Sequence, residues 1–135
     1  MSYVPNELLS RLVGHRLFSV QFLLDYVQLH FDSDTSSGQV VLQCDCVPTV
    51  VRDGHTYAVG DPGWADALWR LIPGIVTDTR EATGTGLEVR FGVDLIRLCP
   101  AVDELVGAEI AMLTGFDDGQ WMVWRPGEES FEDLA

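Results

Sequence analysis

The second half of this chain echoes its first half. An apolar opening at 12–17 precedes an alternating apolar–polar segment at 27–31, and a second opening at 71–76 precedes another such segment at 87–91. The openings start 59 positions apart and the segments 60, so one inserted residue aligns them. Alternation with a period of two is the pattern of a strand with one buried face. Because a more apolar run follows each segment, the sequence predicts two copies of a β-meander.

Helix signals precede each copy. A short N-terminal helix is predicted over 5–11, where leucines recur at helical spacing. A longer helix is predicted over about 61–71, because Asp61 is a favourable N-cap and Pro62 suits the first helical position. The apolar stripe of this longer helix should cover a sheet face.

The remainder of the chain completes a single domain, which we place at 1–127. Residues 108–114 fit either a strand or a buried helical turn. We favour the strand, because a turn signal and a β-prone segment follow it and together predict a C-terminal hairpin over about 108–125. The acidic residues 128–135 are predicted to form a mobile tail.

We therefore predict an α+β fold. It is a curved, mostly antiparallel sheet or barrel-like sandwich, built from repeat one at about 12–47 and repeat two at about 71–99, with one covering helix and a short N-terminal helix. Sheets of this kind leave open strand edges, and a homodimer would close them.

The charge balance restricts the possible functions. The chain has 21 acidic residues against eight basic ones, all arginine, for a net charge of −13. The lack of lysine excludes Schiff-base chemistry, pyridoxal phosphate attachment and a P-loop phosphate clamp. The negative charge argues against nucleic acid and against anionic membranes as partners. It favours a basic protein partner.

The sequence also bears on location. Residues 1–7 lack the basic and apolar regions of a secretory signal, and no apolar run approaches the ~20 residues that span a bilayer. Three cysteines, an odd number, suit reduced thiols better than a disulfide framework. We therefore predict a cytoplasmic protein.

Three features carry a family resemblance: the opening Leu12-x-Gly14, the alternating strand that closes on Phe31, and the Glu109 segment before a tryptophan-containing strand. In these features the chain resembles small actinobacterial-type proteins that form families of unknown function. The resemblance covers most of the chain. It implies a duplicated β-meander and carries no catalytic residue or cofactor with it.

The cysteines are the nearest approach to a metal motif. Cys44 and Cys46 would share one face of a strand, and Cys99, His30 or His55 would have to converge on them to complete a zinc site. A Cys-x-Cys pair is a weak signal, and cysteine is often buried as a small apolar residue. We therefore predict core cysteines, no metal, no cofactor and no catalytic residue.

Aromatic and acidic residues near the C-terminus are the candidate partner-binding site. Trp121, Trp124 and Phe131 are the predicted aromatic anchors, and Asp117 and Asp118 the nearby charges. The predicted function is a non-catalytic interaction module, such as an immunity protein, an antitoxin or a regulator. A small-ligand-binding module with a cavity between the repeats is the alternative.

Overall fold

The computed structural model describes residues 3–35, 38–105 and 107–134. The described residues form ten strands in two five-stranded antiparallel sheets, with one α-helix and three 3₁₀ helices, so the fold is rich in β-structure. The strands are β1 (Arg16–Phe22), β2 (Val27–Asp32), β3 (Val40–Cys44), β4 (Thr49–Arg52), β5 (His55–Tyr57), β6 (Asp78–Ala82), β7 (Gly86–Phe91), β8 (Asp94–Leu98), β9 (Ala111–Thr114) and β10 (Met122–Trp124).

The two sheets exchange hairpins. The first sheet has the order β1-β2-β3-β9-β10 and the second the order β5-β4-β8-β7-β6. Thus the meander β1-β2-β3 is followed by the hairpin β4-β5, which pairs with β8 of the other sheet. The meander β6-β7-β8 is followed by β9-β10, which pairs with β3. The prediction of a mostly antiparallel β-architecture is confirmed, and 108–114 contains a strand.

The echoed openings of the two meanders lie side by side. The Gly14 amide donates to the Val76 carbonyl (2.8 Å), and the Val76 amide donates to the carbonyl of His15 (2.9 Å). One step along, the Leu17 amide donates to the Gly74 carbonyl at 2.9 Å. These bonds form a short antiparallel bridge where both meanders begin.

Apolar residues of both sheets form one core. The alternation of β2 buries Val27, Leu29 and Phe31, while Val89 and Ile96 enter the same cluster from the second sheet. Removing this apolar surface from water is the main stabilising term of such a fold. The period-two pattern in the sequence therefore identified the inward faces correctly.

Both predicted helices are shorter in the structure. The α-helix, α1, runs over Trp64–Trp69 rather than 61–71, and Gly63 before it has a φ of 88°. Asp61 does not cap it, because its carboxylate accepts a hydrogen bond from the amide of Ala58 instead (2.8 Å).

At the N-terminus, a 3₁₀ helix over Leu9–Leu12 replaces the predicted helix at 5–11. The positive φ of Asn6, 69°, stops a regular helix from starting earlier. The side chain of Asn6 instead holds Thr79 of β6, by accepting a hydrogen bond from its hydroxyl at 2.9 Å.

The structure differs from the prediction of a mobile tail at 128–135, because the described residues of this segment are folded against the sheets. Glu129–Leu134 form 3₁₀ turns, and Ser130 and Phe131 are buried. The ring of Phe131 is 3% exposed and packs in the core, which holds this segment in place.

A buried carboxyl group connects both ends of the chain to the sheets. Glu81 of β6, only 7% exposed, accepts hydrogen bonds from the Tyr3 hydroxyl, the Trp124 indole (2.9 Å), the Ser130 hydroxyl (3.1 Å) and the amide of Asn6 (2.8 Å). Burying a carboxyl group costs free energy unless its oxygens accept hydrogen bonds, and four donors, two towards each end of the chain, bond to these oxygens. The Glu81 cluster therefore fastens both termini.

Replacing Glu81 should loosen these attachments. Glu81→Gln keeps the shape, but its amide nitrogen cannot accept hydrogen bonds. We expect urea unfolding to show a loss of about 2–3 kcal/mol in the free energy of unfolding. The control Glu7→Gln, at an exposed acid close by, should change it little. Equal losses in the two variants would contradict this account of the cluster.

Candidate functional site

An open cleft of about 990 Å³ lies where the two sheets exchange hairpins. One wall is the turn between β1 and β2. The rest comes from residues around 43–49, which connect β3 to β4, from the start of α1, and from residues between 99 and 109, which connect β8 to β9. Both connections that cross between the sheets thus line this cleft.

Exposed apolar side chains form much of the cleft wall. Phe22 is 49% exposed and Leu24 97% exposed, and Val59 also lies open to solvent. Phe22 meets Trp64 edge to face, with 5.7 Å between ring centroids, and the Trp64 indole donates to the carbonyl of Pro48 at 2.9 Å. The indole is therefore held in a fixed orientation beside an apolar surface that has no cover in the described structure.

Four carboxylates stand among these apolar residues: Asp25, Asp45, Glu104 and Glu109. Within the described part of the chain, no arginine lines the cleft. Arg125 approaches Glu109 from outside, with 3.6 Å between nitrogen and oxygen. The cleft is therefore apolar in its walls and strongly negative.

Asp45 has the least favourable surroundings for its charge. Burial raises its pKa, the hydrogen bond from Gln43 opposes this shift, and the charge of Glu109 adds to it. No arginine forms a salt bridge with Asp45 within the residues that the structure covers. A cationic group placed in the cleft would stabilise this carboxylate.

A hydrogen-bonded row of side chains orients Asp45. With its proton on Nε2, His30 donates to Gln28 (3.0 Å), Gln28 donates to Gln43 (3.0 Å), and Gln43 donates to Asp45 (3.1 Å). Gln28 and Gln43 are direct partners across β2 and β3, so strand register alone brings them together. The row gives Asp45 a defined direction at the edge of the cleft.

Two of the three predicted aromatic anchors are buried in the structure and do not lie on its surface. Trp124 is fully buried and its indole binds Glu81, and Phe131 lies in the core. Trp121 is exposed, at 61%, but it lies on the outside of the Glu81 cluster and not in the cleft. Trp124 lies within β10, and its indole reaches the buried Glu81, whereas Trp121 lies just before the strand and faces solvent.

The predicted acids Asp117 and Asp118 are exposed, but they too lie away from the cleft, in the turn between β9 and β10. Asp118 pairs with Arg11 at 2.8 Å. A backbone hydrogen bond from Gln120 and this arginine lower the pKa of Asp118. Its charge is thus already balanced within the molecule.

The cysteines do not form a metal centre in the described structure, where no group of three or more His, Cys, Asp or Glu side chains is placed to hold an ion. Cys44 is buried in the core, whereas Cys46 and Cys99 line the cleft. Burial raises the pKa of Cys44 and of Cys99, which favours the thiol over the nucleophilic thiolate. His55 packs on Tyr57 instead.

The residues that line the cleft were not predicted from the sequence, although one feature of the sequence marks this surface. The turn between β1 and β2 carries Leu23 and Leu24 beside Asp25, although such turns usually consist of Gly and polar residues. Leu24 is 97% exposed, so burial of its side chain contributes almost nothing to the stability of the folded monomer. Such exposed apolar residues are typical of a surface that another molecule covers.

No family model, curated protein or solved structure matches this chain. Among the residues that the structure describes, none of the helices has the length and apolar character needed to cross a bilayer.

The raised pKa of Asp45 has a measurable consequence. The folded protein holds the protonated carboxyl more readily than the unfolded chain does, so the ionised form lowers stability once the pH rises above this pKa. Asp45→Asn removes that penalty and retains an oxygen for Gln43. We expect its Tm to exceed that of the wild type at pH 7, and the difference to vanish at about pH 3, where Asp45 is protonated.

The matched control is Asp78→Asn, at an exposed acid of β6 outside the cleft. It should leave Tm close to the wild-type value at both pH values. A lower Tm for Asp45→Asn at pH 7 would show that the carboxylate stabilises the fold rather than serving the cleft.

Proposed function

We propose that this protein is a non-catalytic interaction module that binds a basic segment of another protein in the cleft. The observation that supports this most directly is the combination of exposed apolar walls with four carboxylates and, among the described lining residues, no arginine. Burial of the apolar side chains would supply affinity, and the carboxylates would select a cationic partner.

Charge favours a different protein over a second copy of this chain. The net charge of −13 makes two copies repel each other, and the cleft would meet further acids. The same charge would speed the approach of a basic protein by electrostatic steering. An immunity protein or antitoxin that neutralises a basic effector is one concrete form of this function, and a regulator of a basic protein is another.

Two further proposals accompany this function. Because an odd cysteine count suits a reducing compartment, we place the interaction in the cytoplasm. We also interpret the two meanders as repeats of one unit in an α+β fold. The equivalent positions of β2 and β7 within their meanders, and the bridge between the echoed openings, support a duplication.

A small cationic ligand is the second candidate. The cleft volume of about 990 Å³ is at the upper end of the range for small-molecule sites, roughly 300–1,000 Å³. Aromatic rings beside carboxylates suit an organic cation. This alternative predicts that a compact polyamine binds as well as a peptide of equal charge.

The test is a titration followed by two-dimensional NMR. The probe is a short capped peptide that alternates Arg and Leu, and the comparison ligands are its Glu–Leu counterpart and spermidine. We expect the Arg–Leu peptide to shift the indole signal of Trp64, which lines the cleft, and to leave those of the exposed Trp69 and Trp121 unchanged. Added salt should weaken this binding.

Variants identify the charge that matters. Asp45→Asn should weaken peptide binding by about tenfold, the loss of one charge-assisted contact, while Asp78→Asn should not. An equal shift with spermidine would favour the small-ligand alternative. If the Arg–Leu peptide leaves the indole signal of Trp64 unchanged, the proposed interaction function is wrong.

A further inference from the structure

Strand β1 is at the edge of the first sheet, and its outer side is open along most of its length. In the described structure its only neighbour there is the bridge at Arg16 and Ile75, at the start of the strand. In an antiparallel pair, every second residue directs its N–H and C=O away from the partner strand. The Leu23 amide donates to the carbonyl of Tyr26, so the backbone groups of Leu23 face the partner strand. Counting back from Leu23 in steps of two, Gln21 and Ser19 also face β2. The backbone groups of Val20 and Phe22 therefore face the outer side.

The outward backbone groups of these two residues have no partner in the described structure. Neither Val20 nor Phe22 forms a backbone hydrogen bond outside the pairing of β1 with β2. Natural proteins usually protect such an edge with a charge, a proline or a bulge. The bulge of β1 lies near Phe18, at the far end from the turn, so the segment that runs into the cleft is unprotected.

This open edge leads directly into the cleft. Phe22, the last residue of β1, lines the cleft and contacts Trp64, and the apolar turn at 23–24 continues the same wall. A chain that paired with Val20 and Phe22 would therefore place alternate side chains against the apolar wall. Where that chain continued beyond Phe22, it would enter the cleft that the four carboxylates line.

We propose that the partner's basic segment binds in extended form, as an additional strand on the outer edge of β1. This inference rests on the proposed function, and it adds the conformation of the segment that binds. Backbone pairing would supply affinity, and the cleft would choose among side chains, as in other complexes formed by strand addition. A second copy of this chain would bring acids to an acidic cleft, so the charge selects a basic segment.

The experiment compares two N-methylated forms of the Arg–Leu peptide. One is methylated at every Leu amide and the other at every Arg amide, so each blocks hydrogen bonding along one side of an extended strand. Strand addition requires the amides of one side only. One form should therefore bind like the parent peptide, and the other should bind at least about tenfold more weakly.

Hydrogen exchange gives an independent readout on the protein. The amides of Val20 and Phe22 should become protected when the parent peptide binds, while those of Ser19 and Gln21, which face β2, should be protected in both states. Unaltered protein is used throughout, so a folding defect cannot imitate the result.

The outcomes separate the two proposals. If Trp64 shifts but both methylated peptides bind alike and Val20 stays unprotected, strand addition is wrong and the cleft remains a binding site. If the parent peptide shifts nothing at Trp64, both proposals fail. Protection of Val20 together with a difference between the two methylated forms would establish the extended mode.

Discussion

The exchange of hairpins between the two sheets is the constraint on which the rest of the structure depends. Because β4 pairs with β8 and β9 pairs with β3, neither half of the chain can complete a sheet alone. Each half supplies a meander to one sheet and a hairpin to the other. A single core shared by both halves is the direct result.

The same exchange creates the cleft. Two connections must cross from one sheet to the other, and both pass along it. Connecting segments pack less regularly than strands do, which leaves room between them. The crossing segments carry three of the four cleft carboxylates, Asp45, Glu104 and Glu109, so the topology also concentrates negative charge there.

The two buried acids, Glu88 and Glu81, have different kinds of partner. Glu88 is neutralised by Arg90 and Arg97, while Glu81 relies on neutral donors from both chain ends. Asp45, less buried, has one side-chain donor and a nearby acid. The first two arrangements stabilise the folded state. The third does not, and an unfavourable carboxylate beside an uncovered apolar wall is consistent with a site that another molecule completes.

Much of the architecture could be predicted from local patterns. Alternation identified the inward faces of β2 and β7, and turn residues separated the strands, because both signals depend on neighbours in sequence. The length of the helix at 61–71 was overestimated, because its start depends on the backbone conformation, which the sequence pattern does not show. Its capping residues were favourable, but the left-handed Gly63 and a competing turn at Ala58 decided where it begins.

The residues that line the cleft could not be identified from such local patterns. The sequence alone determined the charge, the lack of lysine and the strand periodicity, since these depend on composition and spacing. Tertiary structure decided which aromatic residues are buried: Trp124 meets Glu81, which is 43 positions away in the chain, and Trp121 next to the same strand meets solvent. It also brought Phe22, Asp45 and Trp64 to one cleft, because strand order, not sequence distance, sets which segments become neighbours.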